Sequence, residues 1–269
     1  MIVQSAPDSG PRLVITMVEH TALAGQAARA FGNDRFEPVS PADEMLYIID
    51  NHDAGWTELD QNAPTDASTG LPYNLVETPF EKIIKTSSQS PDFNTKQHAY
   101  CGLLSSMHSW GLYNGRYGLS HHVLLDSLAA ANRADADRML DGELERQSRL
   151  KTELARDPAT APWIEDGHLM QNYKQLQFFD TLALYFNCNH ETAREKQTFE
   201  HVPMDEHQDA MITLEPLGDS RYRFTPFPFA KDGIELSFTG RYASPDDNGK
   251  PVDLTAIAAS SQSIKCVAS

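Results

Sequence analysis

The chain has 269 residues, long enough for one large buried core or a core with a small addition, and its 40% hydrophobic and 22% charged residues are the proportions of an ordinary soluble globular protein. A formal net charge of −16 argues against a nucleic-acid backbone as direct partner, because that binding depends on dense Lys/Arg patches, but it leaves room for a small anion at a local positive site. No apolar run approaches the length of a membrane span, and Cys101, Cys188 and Cys266 are dispersed, odd in number and without CxxC spacing, which argues against a disulfide framework and makes the cytoplasm the expected setting.

From the N-terminus, Ile2 to Gln4 and Arg12 to Val18 read as two short strands joined by the turn-rich SAPDSG, a candidate hairpin. The second run is short and lacks a basic leader, so it reads as a strand and not as a signal. A helix is expected over 20–31, where His20 precedes Leu23, Ala24, Ala27 and Phe31 at helical spacing and so lies on the apolar stripe. A second is expected over 42–53, in ADEMLYIIDNHDAGW, where Met45, Ile48, Ile49, His52 and Asp53 share one face. The segment between Asp60 and Pro79 is rich in Pro, Asn, Thr and Gly and follows the His-Asp pair directly, as loops that cover or line a pocket often do; a wrapped surface loop is the plain alternative. Trp56 and Asp60 open this segment and are the candidate substrate-side residues, Trp56 as a flat wall and Asp60 as an acceptor behind the ligands.

A third helix is expected over 96–113, where His108 follows Cys101 and Leu104 and precedes Leu112. His98, ten residues earlier, is about 80° out of phase at about 100° per residue, and His121 and His122 follow the turn-like NGRYGLS. The span 122–156 mixes charges of both signs and reads as one exposed helix, or as two broken near Asp141-Gly142. Over 167–187 a strongly apolar helix carries Asp180 in line with Leu169, Tyr173, Leu176, Ala183 and Leu184. Beyond Cys188, MITLEPL, RYRFTPF and IELSFTGRY read as strands of a small antiparallel sheet, and AIAASSQSIKCVAS carries no chemical motif. No glycine-rich phosphate loop is present in the sequence.

A histidine or aspartate on an apolar stripe is costly to dehydrate unless it is paired or bound to a cation. Each position alone fits a hydrogen-bonded core histidine or a helix cap. Four helices that each present one on the buried face point together to a metal, since imidazole and carboxylate are ligands that zinc, manganese and iron accept.

The order His20, then His52-Asp53, then His108, then Asp180, each on its own helix, resembles the ligand order of the HD-domain superfamily of metal-dependent phosphohydrolases. The wording EHTALAGQAARAFGN, HDAGWTELDQNAPTDASTGLPYN, LLSSMHSWGLY and QFFDTLALYFN is similar to an uncharacterised bacterial family of HD-like proteins with no assigned activity, over most of residues 12 to 190. The resemblance implies a mainly α fold, an HD-domain-like helical bundle with a small antiparallel β-sheet from the N- and C-terminal segments. The change of pattern along the chain divides it into an HD-like helical metal-binding domain over 1–200 and a β-rich appendage over 201–269 packed on the same core. By the same resemblance His20, His52, Asp53 and Asp180 match the four common ligands, with His108 an added one, and Asp53 is the catalytic ligand that would bridge a second ion. Members with two metals add two further histidines, for which His98, His108, His121 and His122 are the candidates here. The expected cofactor is one or two ions of Fe, Mn or Zn.

The function so implied is hydrolysis of a small phosphate ester or anhydride by a metal-activated water, on a small and anionic substrate, with neither nucleic acid nor membrane as partner and a homo-oligomer allowed. Two alternatives stand beside it. One is a diiron oxygenase of the HD-like type acting on a small polyol or phosphonate, which needs His98, His121 or His122 as ligands. The other is a non-catalytic sensing module stapled by a closed metal site.

Overall fold

Two antiparallel strands, β1 (Ile2–Val3) and β2 (Arg12–Ile15), open the chain, with Ile2 opposite Ile15. The computed structural model describes residues 1–7, 10–246 and 248–268, so Asp8 and Ser9 of the SAPDSG turn lie outside the described residues. The second strand stops at Ile15 because Thr16 caps a helix: its side chain accepts a hydrogen bond from the Glu19 N–H, one of the orphan donors of a helix start. That helix, α1 (Met17–Ala30), buries His20, Leu23, Ala24 and Ala27 on one side. Next come α2 (Ala42–Asn51), the short α3 (Thr57–Gln61), α4 (Phe80–Thr95) and α5 (Ala99–Tyr113). A one-turn element α6 (Gly115–Gly118), then α7 (Arg133–Leu154) and α8 (Asp166–Cys188), complete the helical part.

The helix α4 falls in a stretch with no helical signature, FEKIIKTSSQSPDFNT, rich in residues that compete with the helical backbone and with Pro91 in its interior. Tertiary contacts compensate. Pro91 has no N–H to give to the Ser87 carbonyl, and the hydroxyl of Ser109 on α5 donates to that oxygen instead, at 2.8 Å. The turn after α2 lies against α4 so closely that a Cβ on Gly55 would stand 2.4 Å from the Thr86 carbonyl oxygen, and the Gly55 N–H donates to Ser90 Oγ. By contrast, residues 122–132, expected as helix, form two short 3-10 turns, Leu124–Ser127 and Ala130–Asn132, before α7 runs unbroken through Gly142.

Five strands follow α8: β3 (Gln197–Pro203), β4 (Asp209–Gly218), β5 (Arg221–Thr225), β6 (Ile234–Ala243) and β7 (Ser260–Val267). With the N-terminal pair they build one seven-stranded sheet in the order β1-β2-β6-β7-β5-β4-β3, curled into a half-barrel. All neighbours are antiparallel except β5 and β7, which run parallel. The expectation of a mainly α bundle with a small antiparallel sheet is therefore corrected: 50% of the chain is helical and 19% strand, and the sheet is large and mixed. The segment that decides this is β7, drawn from the serine-rich tail, which joins β6 to β5 and so welds the N-terminal hairpin to the C-terminal strands. Its burial alternates, with Ile264 and Cys266 inward and serine and lysine outward, a period-two pattern hidden by small polar residues.

One continuous apolar core takes Leu23 and Ala27 from α1, Phe178, Phe179 and Phe186 from α8, and Phe199, Phe224, Phe238 and Ile264 from the sheet. Phe178 meets Phe199 edge-on with ring centroids 5.5 Å apart, and Phe186 meets Tyr222 at 4.9 Å. The helix α8 is thus buried on most sides, and any polar group it carries inward must find a partner inside the protein. Among the described residues, no helix is long and apolar enough to cross a membrane.

Candidate metal centre

His20 lies one turn into α1, His52 at the C-terminal cap of α2, His108 in the middle of α5 and Asp180 in the middle of α8. The four helices pack on one another, and the four side chains are buried where they meet. Helix α2 ends at Asn51, and Asp53 leaves the helical conformation at φ −106°, ψ 24°. That change of direction brings its carboxylate to 3.6 Å from Nε2 of the preceding His52. Ligand-type atoms of His20, His52 and Asp53 lie within 4.8 Å of one another, as do those of His52, His108 and Asp180. The imidazole of His52 is the shared member, with ring centroids 5.6 Å from His20 and 5.1 Å from His108.

The hydrogen bonds behind the rings decide which nitrogen faces inward. His52 Nδ1 is 2.9 Å from the Ile49 carbonyl, an acceptor, so Nδ1 carries the proton and Nε2 is left with a lone pair. That Nε2 is fully buried and has no hydrogen-bond partner. Likewise His20 Nδ1 donates to Asn187 Oδ1 at 3.0 Å, turning Nε2 toward Asp180 Oδ1 at 3.2 Å. Asp180 Oδ1 is also 3.7 Å from His52 Nε2, within ion-pair reach and beyond a hydrogen bond. Lone pairs on imidazole nitrogens thus face lone pairs on carboxylate oxygens, an arrangement that is stable only with a proton or a cation between them. His108 Nδ1 accepts from Gln177 Nε2 at 2.9 Å, while Gln177 Oε1 is buried and unpartnered. With the amide turned end for end, Oε1 accepts from Nδ1–H and His108 also presents a bare Nε2.

Without a cation, protons take up the strain unequally. Burial works against a charge on His52, but Asp53 and Asp180 outweigh it and hold its pKa up to about 9. His108 goes the other way: burial, reinforced by the charge of His52, pushes it down to about 4 despite the neighbouring carboxylates, so it stays neutral. Asp180 is held well below the usual carboxylate range, since His20 and His52 more than offset its burial. The cluster offers imidazole nitrogens and carboxylate oxygens, donor types that could hold a metal ion.

The remaining predicted residues lie apart from this cluster or behind it. Trp56 is buried in the apolar core, in the 3-10 turn Ala54–Trp56, with its N–H bonded to the Asp53 carbonyl. Asp60 is buried with both oxygens engaged, Oδ1 by the Met1 ammonium at 2.8 Å and Oδ2 by the Met17 N–H at 2.6 Å. It thus ties the start of α1 to α3. His98 caps α5, its Nδ1 accepting from the Tyr100 N–H, and packs on Trp163. His121 and His122 are exposed on the segment after α6.

Three residues at the cluster escaped the sequence reading. Gln177 and Asn187 stand three residues before and seven after Asp180, so they fall near its face of α8, and a polar residue at that spacing on an apolar helix was the available signal. Arg116 has no such signal. It sits in α6, where four successive residues, Gly115, Arg116, Tyr117 and Gly118, all have φ between 52° and 88°. For a residue with a Cβ the left-handed conformation costs about 1–2 kcal/mol. The turn is held by Tyr117, whose ring packs 4.7 Å from Trp110 and 5.1 Å from Tyr173 and whose hydroxyl donates to Gln147 Oε1. It delivers the Arg116 guanidinium to 3.7 Å from Asp180 Oδ2.

A family model described as "Protein of unknown function (DUF3891)" matches residues 1–244. Neither a curated protein nor a solved structure matches the chain. The chain belongs to that family of unknown function.

Proposed function

We propose, for a member of a family to which no activity is assigned, that the cluster of His20, His52, Asp53, His108 and Asp180 holds a divalent transition metal and hydrolyses a small phosphate ester or anhydride. The observation that carries this reading is the buried, unpartnered Nε2 of His52, aimed between two carboxylates. Because Nδ1 of that ring is engaged by the Ile49 carbonyl, His52 has one nitrogen to offer, and the two overlapping groups of ligands read as halves of one centre with one ion of Zn, Mn or Fe. The order of ligands along the chain, which resembles that of the HD-domain phosphohydrolases, supports the same reading.

A cation bound here supplies Lewis acidity, acidifying water and neutralising charge on a phosphoryl oxygen. The chain's own groups do the rest. His20 and His52 are locked in one tautomer by Asn187 and Ile49, which orients them before any ligand arrives. Asp53 has the more exposed side chain of the two carboxylates, 15% against 5% for Asp180, and is the one that water can reach as a proton acceptor. The alternative as a diiron oxygenase draws no support from His98, which is committed as a cap, or from His121 and His122, which are exposed.

The test is metal analysis of anaerobically purified protein, followed by a screen of phosphoesters with His52→Ala and Asp53→Ala as controls. The expected outcome is a near-stoichiometric transition metal and a phosphatase activity lost in both variants. Activity that survives both substitutions, or a protein that takes up no metal, refutes the assignment.

A further inference from the structure

A cavity of about 520 Å³ adjoins the cluster, bounded by α6, by one face of α8 and by β3. Two of its lining residues also touch the cluster: Gln177 through His108 and Arg116 through Asp180. Three basic side chains line it, Arg116, Lys174 and His201, and they differ in how far they are committed. Lys174 is bonded to Asp209 at 2.6 Å, and His201 stands 3.7 Å from that same carboxylate. The Arg116 side chain makes no hydrogen bond to any described residue, and its contact with Asp180, at 3.7 Å, is too long for one. A guanidinium with its whole fork of donors unused, only 22% exposed, is an unusual feature in a chain with a formal net charge of −16.

The backbone beneath it is not there by default. Gly115 packs so that a Cβ would lie 2.8 Å from the Ser120 carbonyl oxygen, and the same oxygen's residue donates its N–H back to the Gly115 carbonyl at 3.0 Å. Arg116 itself is kept at φ 52° between these anchors and the packed ring of Tyr117. Strain concentrated at a residue whose charge faces a cavity is the pattern of a preorganised ligand contact.

We propose that the left-handed Gly115–Gly118 turn serves to present Arg116 as the anion anchor of this cavity, binding the phosphoryl oxygens of a small phosphomonoester with a compact, uncharged body. The inference rests on the hydrolase reading for the identity of the anion, but not for the existence of the anion site. A planar guanidinium fork matches two oxygens of a phosphate. The lining also includes Leu119, Leu184 and Tyr185, which favour an apolar or sugar-sized remainder, and the exposed Glu200 at the cavity disfavours a second negative group. The volume is within the range of small-ligand sites.

Inorganic phosphate is the probe, titrated calorimetrically into the full chain in two states, metal-loaded and chelated. Wild-type protein is expected to bind phosphate in both. Arg116→Gln and Arg116→Met, which remove the charge with different shapes, are each expected to weaken it by about tenfold or more in both states, with metal content unchanged. Arg116→Lys should recover part of the loss, because it restores charge without the fork, a rescue that a merely structural role would not show. Thermal melts identify which uncharged variant is folded, and that one carries the comparison. Wild-type protein that binds no phosphate, or a folded uncharged variant that binds it as tightly as wild type, overturns the inference. A chain that takes up no metal yet binds phosphate through Arg116 refutes the hydrolase reading and leaves the anion site standing.

Discussion

Asp180 and Asp60 are both buried carboxylates beside the same helix, α1, and they live in opposite surroundings. Asp60 receives an ammonium and a backbone N–H, both obligate donors, so its charge is answered wholly from within the chain. Asp180 faces the nitrogens of His20 and His52, whose protons are drawn away by Asn187 and Ile49, and the obligate donor beside it, Arg116, stops at 3.7 Å, beyond a hydrogen bond. Burial alone therefore does not mark a functional carboxylate. What marks it is whether the groups around it are donors by nature or only when something else is bound. Glu143 on α7 stands between the two cases: it is buried and bonded to Arg146 at 3.0 Å, and that guanidinium is shared with Asp92.

Four experiments break or sharpen this contrast. Asp180→Asn keeps the shape and removes the charge, and it is expected to lower metal affinity by about a hundredfold or more, read by competition with a chromophoric chelator while the helical circular dichroism signal holds. Asp60→Ala should do the reverse. It leaves the Met17 N–H buried without a partner and costs about 1–3 kcal/mol of stability in denaturant unfolding, with metal content unchanged. If the two variants instead lose metal and stability in the same proportion, the distinction between the two carboxylates fails.

A smaller effect is expected at Gln177. Replacing it by Leu removes the amide that orients His108, and metal affinity should fall by about tenfold, less than at Asp180 because one ligand is loosened and none is removed. The smallest is a pH effect at Glu143, whose carboxyl is pushed above its ordinary 4.5 by burial, against the pull of Arg146. The folded state holds that proton more tightly than the unfolded chain, so the stability it contributes is present below pH 4.5 and is lost as pH rises through the raised value. Melting temperatures of Glu143→Gln and wild type should diverge across that window, with the wild type losing ground as pH climbs. Parallel profiles would show that Arg146 cancels the cost of burial entirely.

Much of the helical half could be read in the chain itself, since α1, α2, α5 and α8 have apolar residues at 3.6-residue spacing, and His20, His52, His108 and Asp180 sit on those stripes. Which side chains face inward is in part local information, carried by periodicity, and it named His20, His52, His108 and Asp180, which the structure brings together; Asp53 reaches them only because the chain leaves the helix after Asn51, and Gln177, Asn187 and Arg116 were not read at all. The strand pattern of β4, β5 and β6 was equally local. The extent of the sheet was not: β7 is a serine-rich strand whose place between β6 and β5 is decided by partners far away in the chain, and it turned an expected small antiparallel sheet into a mixed half-barrel.

The helix α4 teaches the same lesson in reverse, because its backbone is completed by Ser109 and by the close approach of Gly55, neither visible from its own residues. Arg116 is the sharpest case. Nothing in NGRYGLS marks it as anything but a turn, and only the packing of Tyr117 against α5 and α8 aims it at Asp180. Sequence by itself determined which groups are costly to bury, because that is a property of each residue and its helical phase. The tertiary structure alone decided which of them meet, since closing long loops around a shared core sets distances between segments that no local period encodes.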